Sequence, residues 1–170
     1  GQGSQYVGMG KDFYVGFQVC RQIFDIAGNS AGLDVAALCF EENEQIHITE
    51  YTQIAMLTVE VALMKVLEER GLHADVAAGL SLGEYGALAV ADVMRLEDLF
   101  RCGRKRGIYM QEAVPTGGAI TAILGLDGDT IARICEETDG EVSVANYNCP
   151  GQTVITGEKA AVDAAAEKLK

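Results

Sequence analysis

Apolar residues recur at steps of three and four along the first two thirds of the chain, the spacing that places side chains on one face of an α-helix. A first helix is predicted in residues 9–27, and Gly28-Asn29 predicts its end. Its apolar face holds six residues: Phe13, Phe17, Cys20, Ile23, Phe24 and Ala27. A longer helix is predicted from Thr49 to Arg70, with Gly71 beyond its end. We expect it to pack on a sheet through a stripe of Ile54, Leu57, Val61, Met64 and Leu67. Shorter helices are predicted at 33–39 and 82–90. A last helix is predicted at 96–113. Its inward face is expected to hold Leu96, Leu99, Phe100, Gly103, Gly107 and Met110.

The pattern changes after Pro115. Short β-prone runs at 119–124, 142–145 and 153–156 alternate with helical runs at 130–137 and 160–169. The order β, α, β, β, α is that of a ferredoxin-like βαββαβ unit without its last strand. We therefore predict two regions: 1–115, part of an α/β domain, and 116–170, the ferredoxin-like unit.

The first region contains only one predicted strand, the apolar run at 75–79. One strand cannot form the sheet that several helices would cover. The chain is therefore expected to be part of a longer domain, incomplete at both ends. A small self-sufficient domain is the alternative.

Composition narrows the class of protein. With 49% hydrophobic residues the chain can bury a core, and its net charge of −12 argues against a nucleic-acid partner. No apolar run approaches the length of a membrane span, and the opening GQGSQ does not resemble a signal peptide, so we expect a cytoplasmic protein. The five cysteines have no metal-binding spacing and are expected to be buried, reduced thiols. No metal or cofactor is predicted.

One serine is a candidate nucleophile. Gly79-Leu80-Ser81-Leu82-Gly83 fits G-x-S-x-G, in which a strand turns sharply into a helix and exposes the serine hydroxyl. We expect a side chain at either glycine to collide across the turn. A plain strand-to-helix connection is the alternative interpretation.

A serine nucleophile needs a base, usually histidine. The chain has His73, which follows a helix end and is expected to be a surface residue, and His47, in a polar connection. Neither is a strong candidate. The G-x-S-x-G turn is called a nucleophile elbow. A nucleophile elbow without a base is what a catalytic domain lacking its C-terminal part would show.

Five segments together resemble the malonyl-CoA:acyl carrier protein transacylase family. They occur in the family's order and span nearly the whole chain: GQGSQ at 1–5, YTQIA at 51–55, GLSLGEYGAL at 79–88, RGIYMQEAVP at 106–115 and NYNCPGQ at 146–152. The resemblance implies an α/β-hydrolase-like large domain with an inserted ferredoxin-like subdomain. Two residues depart from the family pattern. Leu80 stands where histidine is most common, and Ile54 replaces a common proline.

The resemblance also implies a reaction. Ser81 would take the malonyl group from malonyl-CoA and pass it to the phosphopantetheine thiol of acyl carrier protein, in fatty acid or polyketide synthesis. The backbone N–H groups of Leu82 and Gln2 would stabilise the oxyanion, and the base would be a histidine beyond the inserted subdomain. Gln53 and Asn148 match family positions near the site, with roles in packing or hydrogen bonding. The complete protein is expected to be a monomer, with no cofactor.

Malonyl selectivity requires a cation for the second carboxylate, and arginine suits that group best. Helical periodicity leaves both Arg104 and Arg106 open. The resemblance selects Arg106, and Arg101, Arg104 and Lys105 are expected to form a solvated face. Because carrier proteins are usually acidic, a chain of this charge needs a local basic patch. Two rival functions are a serine esterase and a catalytically incompetent fragment.

Overall fold

The computed structural model describes residues 1–170, which divide into two compact units, Gly1–Ala113 and Val114–Lys170. The first unit is helical, and the second contains a three-stranded antiparallel sheet with two helices. The predicted α/β class is confirmed at this level. No helix is both long and apolar enough to cross a membrane.

The first unit contains six α-helices. They are α1 (Lys11–Gly16), α2 (Gln18–Ala31), α3 (Val35–Phe40), α4 (Thr49–Glu69), α5 (Gly83–Val90) and α6 (Leu96–Ala113), with a short 3-10 turn at Gln45–His47 before α4. The bounds predicted for α6 are confirmed. Its inward face is confirmed at Leu99, Phe100, Gly103 and Gly107, whereas Met110 is 38% exposed.

The single helix predicted for residues 9–27 is wrong. Phe17 adopts an extended conformation (φ −128°, ψ 130°) and separates α1 from α2. The predicted end at Gly28-Asn29 is also wrong, since α2 continues to Ala31. It stops at Gly32, whose left-handed backbone (φ 66°) lets its N–H bond to the Gly28 carbonyl. A glycine inside a helix and one after it look alike in sequence.

Helix α4 forms the centre of the first unit. All seven residues from 52 to 58 are buried, because α2 and α6 both pack against it. The predicted stripe is buried at Ile54, Leu57 and Val61 but exposed at Leu67. The expectation that this helix packs on a sheet is not met in this chain. A helix enclosed by other helices loses the one-sided pattern that its sequence suggests.

The strand predicted at 75–79 is absent. These residues form no sheet pairing and are exposed, with Val76 86% accessible. A strand needs a hydrogen-bonded neighbour, and the chain supplies none here. The segment instead runs in an irregular path into the turn before α5.

The second unit follows the predicted order of elements: β1 (Gly118–Leu124), α7 (Gly128–Glu136), β2 (Val142–Cys149), β3 (Gln152–Glu158) and α8 (Lys159–Lys168). The strands are antiparallel in the order β1-β3-β2. A separate core joins one face of the sheet to the helices through Ile123, Ile131, Cys135, Ile155, Val162, Ala165 and Leu169. The Asp127 side chain accepts a bond from the Thr130 amide (2.9 Å) and caps α7.

Candidate functional site

Ser81 lies at the turn that leads into α5. Its backbone is left-handed (φ 55°), a conformation that is costly for a residue with a Cβ atom, and its side chain is exposed. A Cβ atom at Gly79 would lie 2.0 Å from the Gly83 carbonyl oxygen, so this position requires glycine. The same expectation for Gly83 is wrong, since nothing lies within 4 Å of a Cβ atom built there. Only one of the two elbow glycines is therefore required sterically.

The hydroxyl of Ser81 contacts an arginine. Arg106 on α6 donates from Nη2 to Ser81 Oγ at 2.9 Å and from Nη1 to Gln53 Oε1. Its guanidinium carbon also lies 5.9 Å from the centre of the Tyr85 ring, within cation–π range. Of the two arginines that periodicity left open, Arg106 is the one that reaches the serine.

Two glycines bring the helix of Arg106 close to the helix of Gln53. A Cβ atom at Gly107 would lie 2.9 Å from the Glu50 carbonyl oxygen, and one at Gly103 would lie 2.6 Å from Leu57 Cδ2. Because both residues lack a side chain, α6 can pack directly on the backbone and side chains of α4. Arg106, one residue before Gly107, then lies against Gln53.

The two backbone donors expected for an oxyanion have no partner within the chain. The N–H groups of Leu82 and Gln2 donate to no other atom of the chain, whereas the Gly83 N–H bonds to the Leu80 carbonyl. The Leu82 side chain is 1% exposed and anchors the start of α5 in the core. Gln2 is held by its side chain, which accepts from Gln53 Nε2 (2.7 Å). The structure thus joins Gln2, Gln53, Arg106 and Ser81 in one group.

Neither histidine is hydrogen-bonded to Ser81. His47 Nδ1 lies 3.4 Å from Gln5 Nε2, and Gln5 Oε1 accepts from the Gly3 N–H at 2.7 Å. His73 is exposed and makes no side-chain bond. His47 therefore supports the GQGSQ loop, and the chain places no base on the serine.

The prediction of a solvated face is wrong for Arg104. It donates to the Glu50 carbonyl (2.8 Å), pairs with the Glu50 carboxylate (3.9 Å) and lies 4.9 Å from the centre of the Tyr51 ring. A hydrogen bond with Glu50 and burial raise the pKa of Tyr51. Arg101 and Lys105 are exposed as expected. Helical periodicity left an inward-reaching Arg104 open, but the sequence did not indicate its partners, which lie more than fifty residues away.

A groove of about 530 Å³ opens beside Arg106. Its wall consists of apolar and aromatic side chains with one lysine: Tyr85, Cys102, Lys105, Tyr109, Met110 and Ala113. Met110 belongs to this open wall, which explains why its predicted burial fails. The candidate site therefore has a charged side at Arg106 and an apolar side along α6.

The cysteines correct one expectation. Cys20, Cys39 and Cys135 are buried, and burial raises the pKa of the Cys39 thiol to about 12. Cys102 and Cys149, however, are exposed. All five are free thiols, and no three His, Cys, Asp or Glu side chains come together as a metal site.

Comparison with known proteins decides the family. The acyl transferase domain model matches residues 1–170, the whole chain. The chain belongs to the acyl transferase domain family. Curated members of this acyl transferase family include the malonyl CoA-acyl carrier protein transacylases of Escherichia coli (45% identical) and Bacillus subtilis (40% identical). Both alignments cover 100% of this chain, but only 57% and 55% of those proteins. The chain thus spans about half the length of these relatives.

Solved acyl transferases share the backbone arrangement. The FabD structure from Acinetobacter baumannii matches with a TM-score of 0.92 and 39% identity over 99% of this chain and 55% of that one. A malonyl-transacylase in complex with its type II polyketide acyl-carrier protein, PlMCAT:AntF, matches with a TM-score of 0.90 and 44% identity, over 98% and 56% of the two chains. The resemblance to malonyl-CoA:acyl carrier protein transacylases is confirmed.

Proposed function

We propose that the complete protein containing this chain transfers a malonyl group from malonyl-CoA to the phosphopantetheine thiol of acyl carrier protein. The observation that carries the proposal is the left-handed Ser81, exposed at a turn into a helix and bonded to Arg106 at 2.9 Å. A left-handed serine costs free energy and persists only where the surrounding structure enforces it, which is common at functional sites. Relatives named for this reaction support the same assignment.

The transfer has two halves. Ser81 Oγ attacks the thioester carbonyl, its proton passes to a base, and the carbon–sulfur bond breaks to release coenzyme A as the thiol once it is protonated. The carrier thiol then attacks the malonyl ester, and Ser81 recovers its proton. Since neither histidine of this chain contacts Ser81, we assign the base to the part of the relatives' length that the chain does not span.

Charge develops on the thioester oxygen during each half. The N–H groups of Leu82 and Gln2 have no acceptor within the chain, which suits them to this oxygen. Loss of one such donor commonly costs about 100-fold or more in rate. Arg106 would pair with the free carboxylate of malonyl. The bonds that its N–H groups donate to Ser81 and Gln53 support this role, since they hold the guanidinium beside the proposed nucleophile.

The finer fold assignment forms part of the proposal. An antiparallel sheet with both helices on one face supports a ferredoxin-like arrangement for residues 116–170. The turn at Ser81 supports an α/β-hydrolase-like arrangement for residues 1–115. An acidic carrier protein would approach a chain of charge −12, so it requires local cations such as the exposed Arg101 and Lys105.

The covalent intermediate provides the test. The complete enzyme, mixed with malonyl-CoA, should gain one malonyl group in intact-mass spectrometry, and peptide mapping should place it on Ser81. Ser81→Ala should remain unlabelled, and Ser143→Ala, a change at an exposed serine of β2, should be labelled normally. Label on another residue, or label that persists in Ser81→Ala, contradicts the proposal. Hydrolysis of p-nitrophenyl esters in preference to malonyl transfer would favour an esterase.

The short chain gives a second comparison. Residues 1–170 alone should transfer malonyl far more slowly than a version extended through the next histidine-containing segment, because neither His47 nor His73 is bonded to Ser81. A triad enzyme without one member still keeps a residual rate, so some activity is expected. Equal turnover, or a sharp drop on His47→Ala in the short chain, would make His47 the base.

A further inference from the structure

Five polar side chains form one continuous hydrogen-bonded row, which we call the Thr49 row. Arg106 donates to Ser81 Oγ (2.9 Å) and to Gln53 Oε1. Gln53 Nε2 donates to Gln2 Oε1 (2.7 Å), and Gln2 Nε2 donates to Thr49 Oγ1 (3.0 Å). The row therefore joins the expected carboxylate-binding arginine to the loop that carries an expected oxyanion donor.

The direction of donation is determined from one end. A guanidinium has donors only, so the amide of Gln53 must turn its oxygen toward Arg106. Its NH₂ group then faces Gln2, which must present its own oxygen and turn its NH₂ group to the Thr49 hydroxyl. A flip of the Gln53 amide would break both of its bonds, and a flip of the Gln2 amide would break its bond from Gln53, because two NH₂ groups would then face each other. The row is thus a polarised unit with one stable arrangement.

Gln53 occupies the centre of this row under unusual conditions. It is 1% exposed in the second turn of α4, where its neighbours Ile54 and Ala55 are both fully buried. A buried amide costs free energy unless its donors and acceptors are paired. An apolar residue would pack here without that requirement. The amide is therefore difficult to explain by packing alone.

We propose that Gln53 is a positioning residue that aims Arg106 at the substrate carboxylate and couples it to the Gln2 loop, with Thr49 as the anchor of the row. The proposal rests on the proposed malonyl transfer. A long arginine side chain has many rotamers, and fixing one costs free energy at binding unless the folded protein has already done so. Gln53 and the Tyr85 ring hold the guanidinium on two sides before substrate arrives.

The two ends of the row should respond differently to substitution. Loss of the Gln53 amide releases Arg106, which matters only for a malonyl group, and also releases Gln2, which matters for both acyl groups. Loss of the Thr49 hydroxyl loosens only the Gln2 loop, which serves the oxyanion of both acyl groups. The ratio of malonyl to acetyl transfer therefore reports the function of Gln53, since a general packing defect would lower both rates together.

The experiment compares variants of the complete enzyme in malonyl and acetyl transfer to acyl carrier protein. Gln53→Met, similar in size and without the amide, should raise the KM for malonyl-CoA by about tenfold or more, the scale of one lost bond to a charged group, while acetyl transfer falls only by the factor that Thr49→Val produces. Thr49→Val, at a partly exposed site, should lower both transfers by a similar factor. Thr58→Val removes a buried hydroxyl from the same helix, one bonded only to the Ile54 carbonyl (2.8 Å), and should change neither ratio nor KM.

Arg106→Ala separates the failure of this proposal from that of the proposed function. If Arg106→Ala is malonyl-selective while Gln53→Met lowers both transfers equally or has no effect, Gln53 is structural and the row has no positioning role. If Arg106→Ala itself lowers both equally, the carboxylate assignment fails with it. Should Gln53→Met not fold, Gln53→Asn serves instead, because its shorter amide cannot reach both partners. It should give the same malonyl-selective loss, and an equal loss for both acyl groups would again overturn the proposal.

Discussion

The two units of the chain differ in how closely their backbone conformations and buried residues follow the usual preferences. In Val114–Lys170 every residue with a left-handed backbone is glycine, and the buried core is apolar apart from two threonines. In Gly1–Ala113 two residues with side chains, Ser81 and Asp92, adopt that backbone. The same unit also buries the amide of Gln53. In the small unit both the backbone conformations and the core residues follow the usual preferences, whereas in the large unit some of them do not.

The exceptions in the large unit are mostly in one place. Ser81 and Gln53 are both bonded to Arg106, and Gln53 is bonded to Gln2. Local conflicts of this kind persist where the surrounding structure enforces them, commonly at functional sites. The difference between the units teaches that the candidate site can be recognised from residues that cost folding free energy, a strained backbone and a buried amide, before any chemistry is assigned to it.

The largest expected effect lies in the small unit. Ile155 is fully buried in its core, so Ile155→Ala should lower the free energy of unfolding by about 2–5 kcal/mol through lost apolar contact and a cavity. Urea unfolding of the chain measures this loss. Ile120→Ala is the matched control, since Ile120 lies on the neighbouring strand and is 72% exposed. It should cost less than about 0.5 kcal/mol. Similar losses for both would contradict the one-sided core.

The next effect concerns activity rather than stability. Arg106→Ala in the complete enzyme should raise the barrier to malonyl transfer by about 2–4 kcal/mol, because a carboxylate in a partly desolvated site loses its counter-ion. Acetyl transfer should fall much less or rise, and kcat/KM for each acyl-CoA gives the comparison. Arg101→Ala, at an exposed position of the same helix, should leave the ratio of malonyl to acetyl transfer unchanged, because weaker docking of the carrier protein would lower both equally. Equal losses for both acyl groups would show that Arg106 is structural.

A third prediction tests the turn before α5. Gly79→Ala should lower the free energy of unfolding by about 1–3 kcal/mol, because its Cβ atom meets the Gly83 carbonyl and the backbone must move. Gly83→Ala adds the same atom into open space at the start of the helix, where alanine is favoured by up to about 1 kcal/mol. Chemical denaturation of both variants measures the difference. Equal destabilisation would mean that the turn is sterically different from the one described.

Much of the architecture was predictable from the sequence. The apolar spacing of α6 gave its bounds, and the β, α, β, β, α order of the small unit is confirmed. These elements pair or pack within the chain, so local pattern and final structure agree. The strand predicted at 75–79 is absent for the opposite reason. Its residues favour a strand, but no neighbouring strand completes it.

The site was predictable only in part. Ser81 follows from its motif, and Arg106 from the resemblance, since helical spacing alone left Arg104 open. The roles of Arg104 and Gln53 depend on the approach of α6 to α4 at Gly103 and Gly107. Contacts across about fifty residues leave no periodic signal in the sequence. A pair of glycines one turn apart on a helix was the available hint.

The smallest effect isolates the cost of the exposed serine itself. Ser81→Gly removes the Cβ atom that makes a left-handed backbone unfavourable, and should raise the free energy of unfolding by up to about 1 kcal/mol after the entropic cost of glycine. Ser81→Ala keeps the Cβ atom, loses the bond from Arg106 and should give no gain. Asp92→Gly is the matched control at φ 52°, with a smaller gain because aspartate tolerates this conformation better than serine. Both serine variants should lose malonyl labelling completely, so that stability and activity change in opposite directions only for Ser81→Gly. If Ser81→Gly is no more stable than Ser81→Ala, the turn carries no strain at Ser81, and the large unit would differ from the small one in polarity alone.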